Sequence, residues 1–193
     1  MFPVGELPID DPVTAALDLL AKAGDAAYDG EAVTQKEHAL QAATLALDAG
    51  AKAALIGAAL LHDIGHLLAR DHNHAEGNDR HEELGYRWLA RHFVPALAEP
   101  VGLHVAAKRY LCSVEPSYYQ TLSAASKRSL ERQGGVMTAA EAKAFVAHPH
   151  GKGALQLRRW DEAAKVVGGK TPGLEYFRGY LTTAVVDGGL NTR

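Results

Sequence analysis

Alanine-rich segments with helical periodicity are the feature that most constrains the fold of this 193-residue chain. Apolar residues recur at intervals of three and four along most of its length, whereas the runs of Val, Ile, Tyr and Thr that are typical of strands are nearly absent. Such spacing places apolar side chains along one side of each helix, where they can pack against neighbouring helices. The pattern predicts an all-α bundle, and the chain length suits one domain over residues 1–193.

Capping residues and helix breakers define the predicted helices. Thr34 and Thr138 each begin a capping box with a glutamate three residues later, which predicts a helix start at both positions. Residues 71–79 form a predicted hydrophilic loop. The first ten residues or so and the tail after about residue 172 are expected to be peripheral. The predicted helices cover about residues 12–24, 34–50, 52–69, 81–92, 119–132, 138–147 and 153–167. A further predicted helix holds His104 and Lys108; Pro95 and Pro100 punctuate its entry, and Pro116 ends it.

Composition excludes several classes of function. A net charge of −3, a pI near 6.4 and scattered basic residues argue against a nucleic-acid partner. No apolar run reaches the length of a membrane span, and the N-terminus lacks a basic-then-apolar signal pattern. Cys112 is the single cysteine, so an internal disulfide is excluded. We therefore expect a cytoplasmic protein without a nucleic-acid or membrane partner, and the sequence leaves its oligomeric state open.

Histidines and aspartates spaced along the predicted helices are the candidate metal ligands. The pair His62-Asp63 follows apolar residues on a helix that is expected to be mostly buried. A buried carboxylate is costly unless it is paired, and no Lys or Arg lies three or four residues from Asp63. A lone helix histidine is more often a core or surface residue, but imidazoles and carboxylates without cysteine suit a dinuclear iron or manganese site. The candidate set is His38, His62, Asp63, His81, His104 and Asp161.

Basic or hydrogen-bond-donating residues lie one helical turn from three of these candidates. His66 and Lys108 each follow a candidate histidine by four residues, and Arg158 precedes Asp161 by three. Residues at these spacings share a helix face, so these side chains should point towards the metals. A phosphonate or phosphate between the cations would relieve their repulsion and accept their hydrogen bonds. Solvated helix faces are the alternative interpretation of Lys108 and Arg158.

The order of the candidate ligands resembles the signature of the HD-domain superfamily, which is a histidine, a His-Asp pair and a distant aspartate. His38, His62-Asp63 and Asp161 match it. Most HD proteins are phosphohydrolases, and a smaller group are mixed-valent di-iron oxygenases. The chain resembles the organophosphonate-cleaving members of that smaller group over residues 28–31 (YDGE), 35–38, 61–66 (LHDIGH), 102–111 (GLHVAAKRYL), 122–127, 133–135 and 155–167 (LQLRRWDEAAKVV).

This resemblance implies an HD-domain helical bundle that holds two irons, one Fe(II) and one Fe(III), with O₂ as co-substrate. It implies that Asp63 bridges the irons, and that Tyr28 gates the site and is catalytic together with His62 and Asp63. Glu31 would hold the ammonium group of the substrate. From the residues alone, an exposed N-terminal turn is an equal alternative for Tyr28 and Glu31. The expected substrate-binding residues are Glu31, His66, Lys108, Ser126, Ser129 and Arg158.

The expected reaction is O₂-dependent cleavage of the C–P bond of a small organophosphonate. The substrate would be a 1-hydroxy-2-aminoethylphosphonate or its trimethylammonio analogue, giving phosphate and glycine or glycine betaine. The sequence leaves open the methylation state of the amine and the stereochemistry of the hydroxylated carbon. The alternative is a metal-dependent HD phosphohydrolase, in which the same ligands would activate water for attack on a small phosphate ester. A catalytically inactive HD binding module is disfavoured because every ligand is present.

Overall fold

The computed structural model describes residues 10–28, 30–71 and 80–186, so most of the predicted loop at 71–79 and both extreme ends lie outside the described residues. Helices account for the regular structure within these ranges, apart from two isolated β-bridges, which confirms the all-α prediction. The elements are α1 (Pro12–Ala23), α2 (Gln35–Asp48), α3 (Ala53–Leu61), α4 (Ile64–Asp71), α5 (His81–His92), α6 (Pro95–Val114), α7 (Pro116–Thr121), α8 (Ala124–Arg132), α9 (Ala139–Ala147), α10 (Gly151–Ala163), a 3₁₀ helix at Leu174–Phe177 and α11 (Arg178–Thr182).

Side-chain caps fix the start of several helices. The Thr34 hydroxyl accepts a hydrogen bond from the Glu37 amide at 3.1 Å, and Glu37 Oε2 accepts one from the Thr34 amide at 2.8 Å. Thr138 and Glu141 repeat this arrangement at α9, so both predicted capping boxes are confirmed. None of the described helices is both long and apolar enough to cross a membrane.

The centre of the bundle is built from α6 and α10, which pack along one another, with α2, α3 and α5 around them. Fully buried alanines on α2 allow its neighbours to approach closely. Phe177 and Leu181 also lie in the main core and are fully buried. The expectation that the tail after about residue 172 is peripheral is therefore wrong for this segment. Its helices are each about one turn long, which is too short to show a hydrophobic period in the sequence.

The predicted helix over residues 52–69 is interrupted at the His62-Asp63 pair. α3 ends at Leu61, α4 begins at Ile64, and the pair forms the turn between them. The imidazole Nδ1 of His62 donates to the Ala59 carbonyl at 2.9 Å. That carbonyl would accept the Asp63 amide in a continued helix, so the side chain competes with the helical hydrogen-bond pattern. The break turns the His62 and Asp63 side chains into the bundle.

Three other predicted boundaries also differ. The stretch predicted at 119–132 is divided at Leu122-Ser123, because Ser123 caps α8 by accepting from the Ser126 amide at 3.0 Å. α6 begins at Pro95 and continues through Pro100 rather than being punctuated by it. α10 ends at Ala163, before the predicted end at 167. The residues that follow α10 are held instead by Gln41, whose side chain pairs with both backbone groups of Val166.

Candidate metal centre and anion pocket

The first cluster joins His38 of α2, His62 of the α3–α4 turn and Asp161 of α10. Their side chains are buried, and the Nε2 atoms of the two histidines lie 3.0 Å apart. Asp161 Oδ1 lies 3.3 Å from His38 Nε2 and 3.8 Å from His62 Nε2. The three ligand atoms converge on one point, which is a suitable position for a metal ion.

Backbone contacts orient the imidazoles of this cluster. His38 Nδ1 lies 2.8 Å from the Ala164 carbonyl, and His62 Nδ1 bonds the Ala59 carbonyl. Because each Nδ1 must carry the proton to donate, both Nε2 atoms present lone pairs to one another, an arrangement that calls for a cation between them. Burial lowers the pKa of His62, but the Asp63 and Asp161 carboxylates outweigh burial and raise that pKa to about 9. Without a metal, a proton supplies the missing charge, and metal binding would release it.

The second cluster joins Asp63, His81 at the start of α5 and His104 of α6. The two Nε2 atoms lie 3.1 Å apart, and Asp63 Oδ1 lies 3.4 Å from that of His81 and 3.6 Å from that of His104. His104 Nδ1 bonds the Val101 carbonyl at 2.7 Å. Burial is the main cause that lowers the pKa of His81 well below its usual range and that of His104 to about 4. Both rings are therefore neutral, which is the form that binds metals.

Asp63 connects the two clusters. Its Oδ1 faces the second cluster, while its Oδ2 lies 3.3 Å from His62 Nε2. Within the described part of the chain, Asp63 Oδ2 and Asp161 Oδ1 are buried without a hydrogen-bond partner. Unpaired buried carboxylate oxygens are costly, and a cation in each cluster would remove that cost. This nitrogen and oxygen donor set, with a shared carboxylate, fits a dimetal site.

A cavity of about 50 Å³ adjoins both clusters. Its walls bring together the side chains that the sequence predicts to gate the site or bind substrate, which are Tyr28, Glu31, His66, Lys108, Ser126, Ser129 and Arg158.

Two aromatic contacts frame the metal clusters on the cavity side. The Tyr28 ring stacks on His38 and the His66 ring stacks on His81, each with centroids 3.9 Å apart. Burial, followed by the charges of Asp63 and Asp161, raises the pKa of the Tyr28 phenol well above its usual range. The helix break removes the shared face that was predicted for His62 and His66, so His66 reaches the site from α4 through its contact with His81.

Cationic side chains also line the cavity. Lys108 Nζ donates to Ser129 Oγ at 2.7 Å, and burial together with the nearby Arg158 charge lowers the pKa of Lys108 to about 8. The Arg158 guanidinium forms ion pairs with Asp161 and Glu162 and donates from Nε to the Tyr118 hydroxyl at 2.8 Å. These contacts hold Arg158 in a fixed orientation beside the first cluster.

Sequence reasoning missed two polar residues of this cavity, Gln133 and Lys165, and two apolar ones, Val105 and Ala125. Gln133 Oε1 is buried without a partner among the described residues. Lys165 lies four residues after Asp161, which is the same spacing that pointed to Lys108 after His104. That spacing could have identified Lys165, whereas only the tertiary structure reveals the position of Gln133.

Two adjoining His/Asp clusters within a helical bundle, each of which could hold a metal ion, are the arrangement expected of an HD-type metalloprotein. The model of the HD domain family matches residues 36–134. The chain is 50% identical over 169 residues to the hydroxymethylphosphonate dioxygenase of Gimesia maris, covering 86% of this chain and 84% of that protein. It is 43% identical over 157 residues to the [1-hydroxy-2-(trimethylamino)ethyl]phosphonate dioxygenase (glycine-betaine-forming) of Leisingera caerulea, covering 80% of each.

A more distant relative is an uncharacterized protein of Acanthamoeba polyphaga mimivirus, 34% identical over 174 residues, with 88% of this chain and 80% of that protein covered. The chain belongs to the HD-domain family, in the group that contains the phosphonate dioxygenases. The resemblance inferred from the sequence segments is thereby confirmed.

Proposed function

We propose that this protein is a di-iron oxygenase that uses O₂ to cleave the C–P bond of a 1-hydroxyphosphonate and release phosphate. The observation that carries the proposal is the position of Asp63, which faces both histidine pairs beside a cavity lined by basic side chains. The dioxygenase activities for which the relatives at 50% and 43% identity are named support an oxygenase over the phosphohydrolase alternative.

Two irons would be held by the residues of the two clusters. His38, His62 and Asp161 would hold one, His81 and His104 the other, and Asp63 would lie between them. When bound, the irons would supply activation of O₂, chemistry that amino-acid side chains lack.

The overall reaction balances without an external reductant. The hydroxylated carbon gains one oxygen atom and leaves as a carboxylic acid, while the phosphonate gains the other and leaves as phosphate. Hydroxymethylphosphonate would give formate, and the 2-amino or 2-trimethylammonio ethyl compounds would give glycine or glycine betaine. Both atoms of O₂ enter the products, which is the stoichiometry of a dioxygenase.

The protein side chains would bind and orient the substrate. Lys108 would contact the phosphonate as a point charge, and Arg158 and the hydroxyls of Ser126 and Ser129 would complete an anion-binding wall. His66, which also lines the cavity, would donate a further hydrogen bond.

Three residues have proposed catalytic roles at the metals. His62 and Asp63 would act as ligands. Tyr28, a neutral phenol stacked on His38, would cover the metal site until substrate displaces it.

Oxygen dependence tests the proposal. Iron-loaded protein is incubated with hydroxymethylphosphonate, 1-hydroxy-2-aminoethylphosphonate and the trimethylammonio analogue, with and without O₂. We expect phosphate release from at least one compound in air only, with label from ¹⁸O₂ in both phosphate and acid. Phosphate release that persists without O₂ indicates hydrolysis, and no release from any compound contradicts the proposed substrate class.

A further inference from the structure

We infer that Glu162 is a positioning residue, which holds Ser126, Arg158 and Lys165 of the cavity wall in the arrangement that binds the phosphonate group. The inference rests on the proposed function, and it concerns a carboxylate that the proposed function leaves without a role. Among the described residues, Ser126, Arg158 and Lys165 line the cavity, whereas Glu162 does not line it but contacts all three.

Four donors converge on the Glu162 carboxylate, whose side chain is only 10% exposed. Its Oε1 accepts from Lys165 Nζ at 3.1 Å and from the Ser123 amide at 3.0 Å. Its Oε2 accepts from Ser126 Oγ at 2.9 Å and pairs with the Arg158 guanidinium. One carboxylate therefore joins three side chains of the wall to the residue that caps α8.

The position of Glu162 on α10 explains how it reaches two cations. Glu162 follows Arg158 by four residues, so both side chains lie on one face of α10. Lys165 follows the end of α10 at Ala163, and its Nζ reaches Ser126 Oγ at 2.9 Å as well as Glu162. The C-terminal end of α10 thus brings both cations to one carboxylate.

Charge balance does not require Glu162. Arg158 also pairs with Asp161, and Lys165 also pairs with Glu31 at 3.2 Å, so each cation has a second carboxylate partner. A further negative charge beside an anion-binding wall repels the incoming phosphonate. Glu162 therefore weakens the electrostatic attraction for the substrate, and its benefit lies in fixing the donors before the substrate arrives.

Positioning and charge predict opposite results for Glu162→Gln. An amide has one accepting oxygen and a nitrogen that donates, so it can satisfy only one of the two pairs of donors and opposes the other. Loss of positioning raises KM for the phosphonate, whereas loss of a negative charge alone lowers it.

The experiment measures substrate use and anion binding in the same proteins. Iron-loaded wild type and Glu162→Gln are assayed in air with hydroxymethylphosphonate and 1-hydroxy-2-aminoethylphosphonate, and Kd for inorganic phosphate is measured by calorimetry. We expect KM and the phosphate Kd to rise at least fivefold in the variant, while kcat stays within twofold and the iron content is unchanged. A smaller rise, no change or a fall in KM overturns the inference, as does a loss of kcat or iron with KM unchanged.

Two further variants separate position from charge. Glu131→Gln removes the same charge at an exposed position of α8 and should leave KM and the phosphate Kd unchanged. Glu162→Asp keeps the charge but withdraws the carboxylate by one methylene, so it should also raise KM. If Glu162→Gln does not fold, Glu162→Asp decides, and an unchanged KM in that variant overturns the inference.

Phosphate binding distinguishes a failure of this inference from a failure of the proposed function. If the wild type cleaves neither phosphonate but binds inorganic phosphate, and Glu162→Gln weakens that binding at least fivefold, the proposed function fails and the positioning role stands. If the wild type cleaves a phosphonate and KM is unaffected in Glu162→Gln, the inference fails and the proposed function stands. Neither cleavage nor phosphate binding by the wild type overturns both.

Discussion

A β-carbon on Gly65 would lie 1.9 Å from the carbonyl oxygen of His81, so α4 and α5 touch at a point where only glycine fits. This contact sets the position of His81 in the second cluster. Gly65→Ala should therefore push α5 away, destabilise the protein by at least about 2 kcal/mol and weaken metal binding by the second cluster. Thermal unfolding and metal analysis check both effects. Gly179→Ala is the matched control, because its β-carbon would meet no atom within 4 Å, and equal behaviour of the two variants would contradict the prediction.

Removing the charge of Asp63 should affect both clusters at once. Asp63→Asn keeps the side-chain shape but loses one acceptor oxygen and the negative charge that faces both pairs of Nε2 atoms. We expect about two ions per chain in the wild type and less than one in the variant. Elemental analysis of purified protein measures this. Asp48→Asn, at an exposed position, should keep the wild-type content, and full occupancy in Asp63→Asn would refute the shared-ligand role.

The activity of the free enzyme should decline at alkaline pH because of Lys108. Burial and the Arg158 charge lower the pKa of Lys108 to about 8, so the ammonium form is present below this pH and is lost above it. kcat/KM for a phosphonate should then fall by up to about tenfold per pH unit above 8. Lys108→Arg keeps its charge throughout this range and should flatten the profile. The same alkaline limb in both proteins would show that another group is responsible.

Gln133 should lower the stability of the folded protein and contribute to substrate binding. Its buried Oε1 has no partner among the described residues, and the residue lines the cavity. Gln133→Leu removes this unsatisfied atom and should stabilise the protein by about 1 kcal/mol, while KM for the phosphonate rises severalfold. Thermal unfolding and steady-state kinetics test the two effects separately. Gln156→Leu, at an exposed position of α10, should leave KM unchanged, and an unchanged KM in Gln133→Leu would exclude Gln133 from substrate binding.

Local signals explain the parts of the fold that the sequence predicts well. The capping boxes at Thr34 and Thr138 depend on residues three apart, so they can be recognised without tertiary information. The sequence also predicts that the candidate ligands lie close together. A buried Asp63 carboxylate without a nearby Lys or Arg needs a cation, and the family resemblance indicates the same ligand set. The structure brings all six predicted ligands into two adjoining clusters.

Features that depend on tertiary contacts could not be predicted. The break at His62-Asp63 lies in an apolar run without glycine or proline at the break, and it depends on a side-chain bond to Ala59. The contact between Glu31 and Lys165 joins distant parts of the chain. The burial of Phe177 likewise depends on how the tail packs across the bundle.

One oxygen of the Asp63 carboxylate faces each histidine pair. Asp63 itself lies in the turn between two helices and not within a helix. Filling one position would therefore fix the carboxylate plane and prearrange the other, so that loading should be cooperative, with the second ion captured more readily than the first. Partly loaded samples would then consist mainly of molecules with no ion and molecules with two ions. The average metal content per chain would therefore be proportional to the fraction of active enzyme.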